Sequence, residues 1–273
     1  MLNSKKATIV STFAAAGILF SAIAPVANAA LPTLTPGVIT IGTDDPAYGP
    51  WFDSNNPSNG KGFESAVAFA VAKQLGYPAS KVKWVKASFN SVIQPGKKSF
   101  DFDINQISIT DERKKVVDFS TGYYDVAQAV VSVKGSSIAK ATKISDLSKV
   151  ALGAQVGTTS LATINSVVKP AKKVSVYDSN DLATAALTAG QIKGLVVDLP
   201  TAFYIADTAK NAILVGQFPA QTKSEQFGLV LAKGSALTAK VSAAVDALRA
   251  NGTLKAIADK WLANVGGARV FKK

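Results

Sequence analysis

Arg113 closes the segment Asn105-Gln106-Ile107-Ser108-Ile109-Thr110-Asp111-Glu112-Arg113, with the hydroxyls of Ser108 and Thr110 shortly before it. A guanidinium presents its N–H donors as a planar fork that fits a carboxylate with two parallel bonds, and nearby hydroxyls can add to the grip. Arginine is scarce in this chain: Arg113, Arg249 and Arg269 are its only examples among 30 basic residues, so lysine is the default surface cation. A lone arginine beside hydroxyls suggests an anion clamp; the competing reading is a surface pair with Asp111 or Asp118. The segment follows a strand-like run, Phe100-Asp101-Phe102-Asp103-Ile104, which would put the clamp at the end of a strand.

Other chemistries are excluded by absence. The sequence has neither cysteine nor histidine. Disulfides, thiol nucleophiles, a lipid-modified cysteine, Ser-His-Asp catalysis and histidine metal sites therefore fall away. No metal and no cofactor are expected. The formal charge is +12, but the lysines stand in ones and twos without interleaved aromatics, which reads as a solvated basic surface and not a nucleic-acid face. Residues 1–29 read as a secretory leader: Lys5 and Lys6, an apolar stretch from Ala7 to Ala24, and the small-x-small site Ala27-Asn28-Ala29. Without it about 244 residues remain, enough for two modest domains.

The elements that must position the clamp follow in order. Val38-Ile39-Thr40-Ile41-Gly42-Thr43 predicts a buried strand ending in a turn-rich loop with Asp44, Asp45, Tyr48 and Trp51. A helix over 65–75 closes at Gly76, Val82-Lys83-Trp84-Val85 gives a second strand with Phe89 beyond it, and 100–104 gives a third. Strand–helix alternation of this kind predicts a parallel sheet, whose strand ends are where α/β folds place ligands. A long strand-like run, 126–133, has a counterpart at 226–231. Between them lies a second α/β set, with strands at 150–154, 174–177 and 194–198 and helices opening at Gly157-Thr158-Thr159 and spanning 182–189. Two amphipathic helices, 235–250 and 253–262, end the chain. One α/β unit inserted in another, with two connectors, suggests a hinged clamshell for a small ligand.

These pieces resemble, in order over 37–265, the family 3 extracellular solute-binding proteins, the amino-acid receptors of ABC importers. The resemblance rests on Gly-x-Ile-x-Ile-Gly-Thr-Asp at 37–44, Gly62-Phe63, Ser108-Ile109-Thr110 with Arg113, Asp118-Phe119-Ser120, Tyr123-Tyr124, Gly157-Thr158-Thr159, Asp198, Gln226-Phe227-Gly228 and Asp259-Lys260-Trp261. It implies a two-lobed type II periplasmic-binding-protein fold, each lobe an α/β layer around a mixed, mostly parallel sheet, joined by two hinge strands. The lobes would be 30–127 with 224–273, and the inserted 128–223. It further implies that Arg113 grips a ligand α-carboxylate, helped by the amides and hydroxyls of Thr158 and Thr159. Asp198 would take the α-ammonium, together with the Ser108 hydroxyl and the Gln106 carbonyl. Asp44, Tyr48, Trp51, Phe89 and Gln155 fall at or near side-chain contacts, with Tyr48 and Phe89 able to sandwich a flat or cationic group. Trp51 as core and Gln155 as a loop cap stay open beside these roles. Asn105 and Gln106 depart from the resemblance, since small residues are usual there, and two bulky amides would crowd the pocket floor.

The resemblance implies a non-catalytic, monomeric receptor, periplasmic or secreted, that captures a polar or basic amino acid and delivers it to a membrane permease. Two alternatives stand beside it. A cyclohexadienyl- or arogenate-type dehydratase on the same fold would need Asp44, Asp45 or Glu64 as its acid or base, and a sensory binding module would need a separate signalling partner.

Overall fold

The computed structural model describes residues 31–220 and 224–273; the leader reading of 1–29 lies outside them. The chain opens with β1 (Ile39–Thr43), in which every residue is buried. Burial on both faces is what the unbroken apolar, β-branched run demands, and it fits a parallel interior strand. Helix α1 (Phe63–Gln74) follows, then β2 (Val82–Lys86), the single-turn α2 (Phe89–Val92) and the two-residue β3 (Phe102–Asp103). Gly62, which caps α1, sits at φ 93°, and a Cβ there would collide with the Trp51 carbonyl, so only glycine lets the helix start against the loop. Next come β4 (Val117–Val126) and β5 (Gln128–Val133).

The inserted unit continues with α3 (Ile144–Leu147), β6 (Leu152–Gln155) and α4 (Thr159–Thr163), which runs on as a π-helical turn over Ile164–Val168. Strand β7 (Ser175–Tyr177), α5 (Asn180–Thr188), β8 (Gly194–Asp198), α6 (Leu199–Thr208) and β9 (Ala212–Gln217) complete it. The chain returns through β10 (Glu225–Ala232) and ends in α7 (Thr238–Ala250) and α8 (Thr253–Trp261).

Two five-stranded sheets result, ordered β2-β1-β3-β10-β4 and β7-β6-β8-β5-β9. Each has the same plan: three parallel strands, a fourth antiparallel to them, and an edge strand antiparallel to the fourth. Four of the five strands in each sheet point the same way, so each is a mixed, mostly parallel sheet. Each sheet with its helices forms a lobe, the fold of a type II two-lobed clamshell. The run expected as one strand over 126–133 is divided: Val126 ends a strand of the first sheet and Gln128 begins one of the second, so the chain changes lobe at Ala127. Helix α6 and strand β9 had no counterpart in the sequence reading. The chain end also differs from it, because Val270 bridges Gln217, Lys272 bridges Lys143 and Phe271 is buried in the second lobe's core, away from the lobe that holds α7 and α8.

Lobe 1 is built around aromatic residues. Trp51, Phe63, Tyr123, Tyr124 and Phe227 meet ring to ring with centroids 5.1–6.2 Å apart. Edge-on and tilted contacts of this kind add to area burial and fix the loop after β1 on the sheet. Lobe 2 has aliphatic cores on both sheet faces, which suits its Val, Ile, Leu and Ala content. Among the described residues no helix is long and apolar enough to cross a membrane, and no group of three or more carboxylates forms a metal site.

Candidate functional site

A cavity of about 250 Å³ lies between the lobes. Lobe 1 contributes the loop after β1 (Asp44, Asp45, Tyr48), the start of α2 (Ser88, Phe89, Asn90), and Asn105, Gln106, Ser108 and Arg113 after β3. Lobe 2 contributes Gln155, Thr158–Ser160, the segment Asp178–Asp181 after β7, and Asp198 at the end of β8. Every wall is a strand end or the first turn of the helix that follows it, the place where side chains of an α/β sheet converge without blocking the layer.

Arg113 is 8% exposed and spans the cleft. One terminal nitrogen donates to the Ser108 carbonyl at 2.6 Å, and the other to the Gly157 carbonyl of lobe 2 at 2.8 Å. Two of five N–H donors are thereby used, and the rest remain for an anion. Its guanidinium also lies 5.4 Å from the Phe89 ring centroid, an arrangement that holds the fork flat. Burial lowers its pKa, while the charges of Glu225 and Asp198 oppose that shift. The Thr110 hydroxyl accepts from the Arg113 backbone N–H at 3.1 Å, so it caps the turn and takes no part in the clamp.

Across the cleft, Asp198 ends β8 and sits opposite Gln128 in the antiparallel ladder, whose amide donates to its Oδ1 at 2.7 Å. Burial raises the Asp198 pKa well above the ordinary carboxylate range, and Glu225 adds to it; Gln128 and Arg113 act against the rise. An approaching ammonium would favour the charged form.

Glu225 and Gln128 were missed by sequence reasoning. Glu225 Oε1 accepts from Ser108 Oγ at 2.5 Å, from Thr159 Oγ1 at 2.7 Å and from Gln128 Nε2 at 3.2 Å, tying both lobes to the strand where the chain returns. The available signal was position: Glu225 directly precedes Gln226-Phe227-Gly228, and Gln128 is an amide within an otherwise mostly apolar strand. Asp178, Asn180 and Asp181 also line the cavity; their signal is that they directly follow the predicted strand at 174–177.

Several expected roles change. The Thr159 hydroxyl donates to Glu225, and that of Thr158 donates to the Gln155 carbonyl at 2.7 Å while accepting from the Leu161 N–H. Neither hydroxyl is spare as a donor, so anion contact at this helix start falls to its backbone N–H groups, which have no intrahelical acceptor. The Ser108 hydroxyl, donating to Glu225, keeps lone pairs for an ammonium. Gln155 is buried along the cavity wall, and its carbonyl anchors the Thr158 cap. Asp44 accepts the Phe89 N–H at 3.2 Å and the Asp45 N–H at 2.8 Å, which orients its carboxylate at the wall; Asp45 pairs outward with Lys86 at 2.5 Å.

Trp51 does not reach the cavity. It is fully buried in the lobe 1 core, and its indole N–H donates to Thr201 Oγ1 of lobe 2 at 2.9 Å. The Tyr48–Phe89 sandwich is not formed either. Phe89 faces Arg113, while the Tyr48 hydroxyl accepts from Asn180 Nδ2 at 2.9 Å and its ring stacks on Tyr204 at 6.3 Å. At Gly49 a Cβ would stand 2.7 Å from the Tyr204 ring, so the absence of a side chain allows this close approach. Gln106 lines the floor, but its side-chain amide turns away from the cavity to the buried Glu64 carboxylate. The expected crowding by Gln106 is thereby removed. Asn105 stays at the floor, 5% exposed, its Nδ2 without a hydrogen-bond partner among the described residues.

The profile of the bacterial extracellular solute-binding proteins, family 3, matches residues 39–264. The chain belongs to this family. Within it, the chain is 32% identical over 225 residues to the L-arginine-binding protein of Pseudomonas aeruginosa, covering 79% of this chain and 84% of that protein. It is 31% identical over 218 residues to the ABC transporter glutamine-binding protein GlnH of Bacillus subtilis, covering 77% of each. Its structure is similar to that of an ancestral arginine-binding protein bound to arginine, with a TM-score of 0.68 and 29% identity over 82% of this chain and 98% of the other.

Proposed function

We propose that this protein is a receptor that captures an amino acid between two closing lobes outside the cytoplasm and hands it to the permease of an ABC importer. One observation carries the reading. Arg113 and Asp198 reach the same cavity from opposite lobes, so a zwitterion's two ends are matched only when both lobes contact it. The carboxylate meets the remaining Arg113 donors and the N–H groups at the start of α4. The ammonium meets Asp198, Ser108 Oγ and the Gln106 carbonyl. Residues 1–29 act as the export signal, and the receptor works as a monomer.

A basic side chain is favoured over a neutral one. Asp44, Asp178 and Asp181 add carboxylates to a wall on which Arg113 is the only cation. A guanidinium or ammonium tail would neutralise part of that charge, and Asn90, Gln155 and Asn180 supply further polar partners. Relatives named as arginine- and glutamine-binding proteins agree with a cationic or amide tail, whereas a cystine-binding relative at 30% identity does not. Glu64, a carboxylate the dehydratase reading would need, is fully buried and turned to Gln106 and Tyr123, so the geometry does not favour proton transfer to a cavity ligand.

The experiment is a thermal-shift screen of refolded, ligand-stripped protein against the twenty amino acids. Binding to the folded state alone raises the melting temperature by mass action. Arginine or another basic or amide amino acid should give the largest rise. A response only to compounds lacking an α-ammonium would remove the role given to Asp198, and silence across the panel would overturn the receptor reading.

A further inference from the structure

Beneath the cavity floor lies a buried carboxylate that the binding scheme does not use. Glu64, in the first turn of α1, is fully buried. Its Oε1 accepts the Gln106 backbone N–H at 2.8 Å and also the Tyr123 hydroxyl, and its Oε2 accepts the Gln106 side-chain amide. Gln106 sits at φ 48°, in the left-handed region that a non-glycine residue occupies at a cost of about 1–2 kcal/mol. Such a conformation persists where surrounding contacts over-determine it. Here both ends of the residue are held by one carboxylate.

With the N–H and the side-chain Nε2 turned down to Glu64, Gln106 retains its backbone carbonyl oxygen and its side-chain Oε1 as acceptors. The backbone carbonyl accepts no hydrogen bond among the described residues, and the residue lines the cavity floor. We infer that Glu64 is a positioning residue for recognition of the ligand α-ammonium: it holds Gln106 in the left-handed conformation that aims its carbonyl into the cavity. The inference rests on the receptor reading above and gives the departure from small residues at 106 a purpose. A large amide there is a handle by which the protein grips its own floor from below.

The surroundings keep Glu64 available as an acceptor. Burial raises its pKa to about 7, and the hydrogen bonds from Tyr123 and Gln106 act in the opposite direction. The neighbouring acids are Asp103, fully buried on β3, with Asp44 and Asp198 further along the cavity; Lys98 is the nearby cation at Asp103. A protonated Glu64 keeps one oxygen as acceptor for the Gln106 N–H, so the hold loosens without vanishing as the group takes up a proton.

The test uses the whole exported protein and isothermal titration with L-arginine and L-glutamine, each beside its analogue lacking the α-amino group. The readout is the affinity ratio of each pair. In Glu64→Gln the ratio should fall about tenfold, the loss of one well-placed hydrogen bond to a charged group, while affinity for the desamino analogue stays the same. Adding Gln106→Gly to that variant should recover part of the ratio, because glycine occupies the left-handed region without a handle. A general packing role for Glu64 would lower both affinities equally and show no rescue, and either result overturns the inference. Should Glu64→Gln fail to fold, Gln106→Ala and Gln106→Gly carry the test with Glu64 intact. Alanine should lose more of the ratio than glycine, and equal values overturn the inference. Wild-type protein that binds neither amino acid would sink the receptor reading and the inference with it. Wild-type binding with an unchanged ratio in the variants would sink the inference alone.

Discussion

Replacing Thr201 with valine tests whether the lobes meet only around a bound ligand. Trp51 and Thr201 are 0% and 1% exposed, and the 2.9 Å bond between them crosses from one lobe to the other. Valine matches threonine in shape but leaves the indole N–H buried without an acceptor. An orphaned donor of this kind costs about 1–3 kcal/mol. When the lobes separate, water can serve the indole and the penalty disappears, so it falls on the joined form alone. A ligand that needs the joined form should then bind roughly 5- to 150-fold more weakly, although Thr201 is not part of the cavity wall. Titration calorimetry with L-arginine measures the affinity, and small-angle scattering with and without ligand measures how compact each form is. Weaker binding with a normal ligand-bound scattering curve supports the reasoning. An unchanged affinity combined with a lower melting temperature would refute it, since the bond would then be part of the fold in every state.

Arg113→Lys keeps the charge but removes the planar fork and its hold on the Gly157 carbonyl, so affinity for any α-carboxylate ligand should fall about a hundredfold by calorimetry. Burial raises the Asp198 pKa, and an ammonium beside it favours the charged form, so binding an amino acid at a pH where part of Asp198 is protonated should release a proton. That release would show as a binding enthalpy that varies with the buffer's ionisation heat, and Asp198→Asn should abolish the variation. Because the folded-state pKa of Glu64 is about 7 against an ordinary 4.5, the folded protein binds this proton more tightly than the unfolded chain. Stability should therefore decline as pH rises from about 4.5 to 7, by about 3 kcal/mol for this group, and Glu64→Gln should flatten the decline seen in thermal melts. Asp103, raised in the same sense, leaves a residual slope.

Much of the fold could be read from patterning because its strands are short apolar runs punctuated by turn residues. Ile39–Thr43 and Gly194–Asp198 are interior strands, buried throughout except at Asp198, and burial writes directly into composition. Helix α6 escaped because Leu199-Pro200-Thr201-Ala202-Phe203-Tyr204 carries aromatic and β-branched residues with proline second, a sequence whose helicity depends on packing against β9. At the site, Arg113 and Asp198 were legible as rare or strand-terminal charges. Glu225 was not, because its role comes from the antiparallel return of β10, which brings it beside hydroxyls 66 and 117 positions away in sequence. The direction of a side chain was equally hidden: nothing local says that Gln106 turns down to Glu64 or that Trp51 turns from the cavity to Thr201.

The missing side chain at Gly49 has a consequence for transport as well as for recognition. Tyr204 of lobe 2 fills the space in which a Cβ at position 49 would stand, and neither residue lines the cavity. Gly49→Ala would act as a wedge at the lip, leaving every cargo-facing group in place while preventing the jaws from shutting. A receptor altered in this way would hold its cargo from one lobe at a time, and so more weakly, and would not present the shut outline to a docking partner. In a reconstituted importer, loading and the signal that says loaded would fall together.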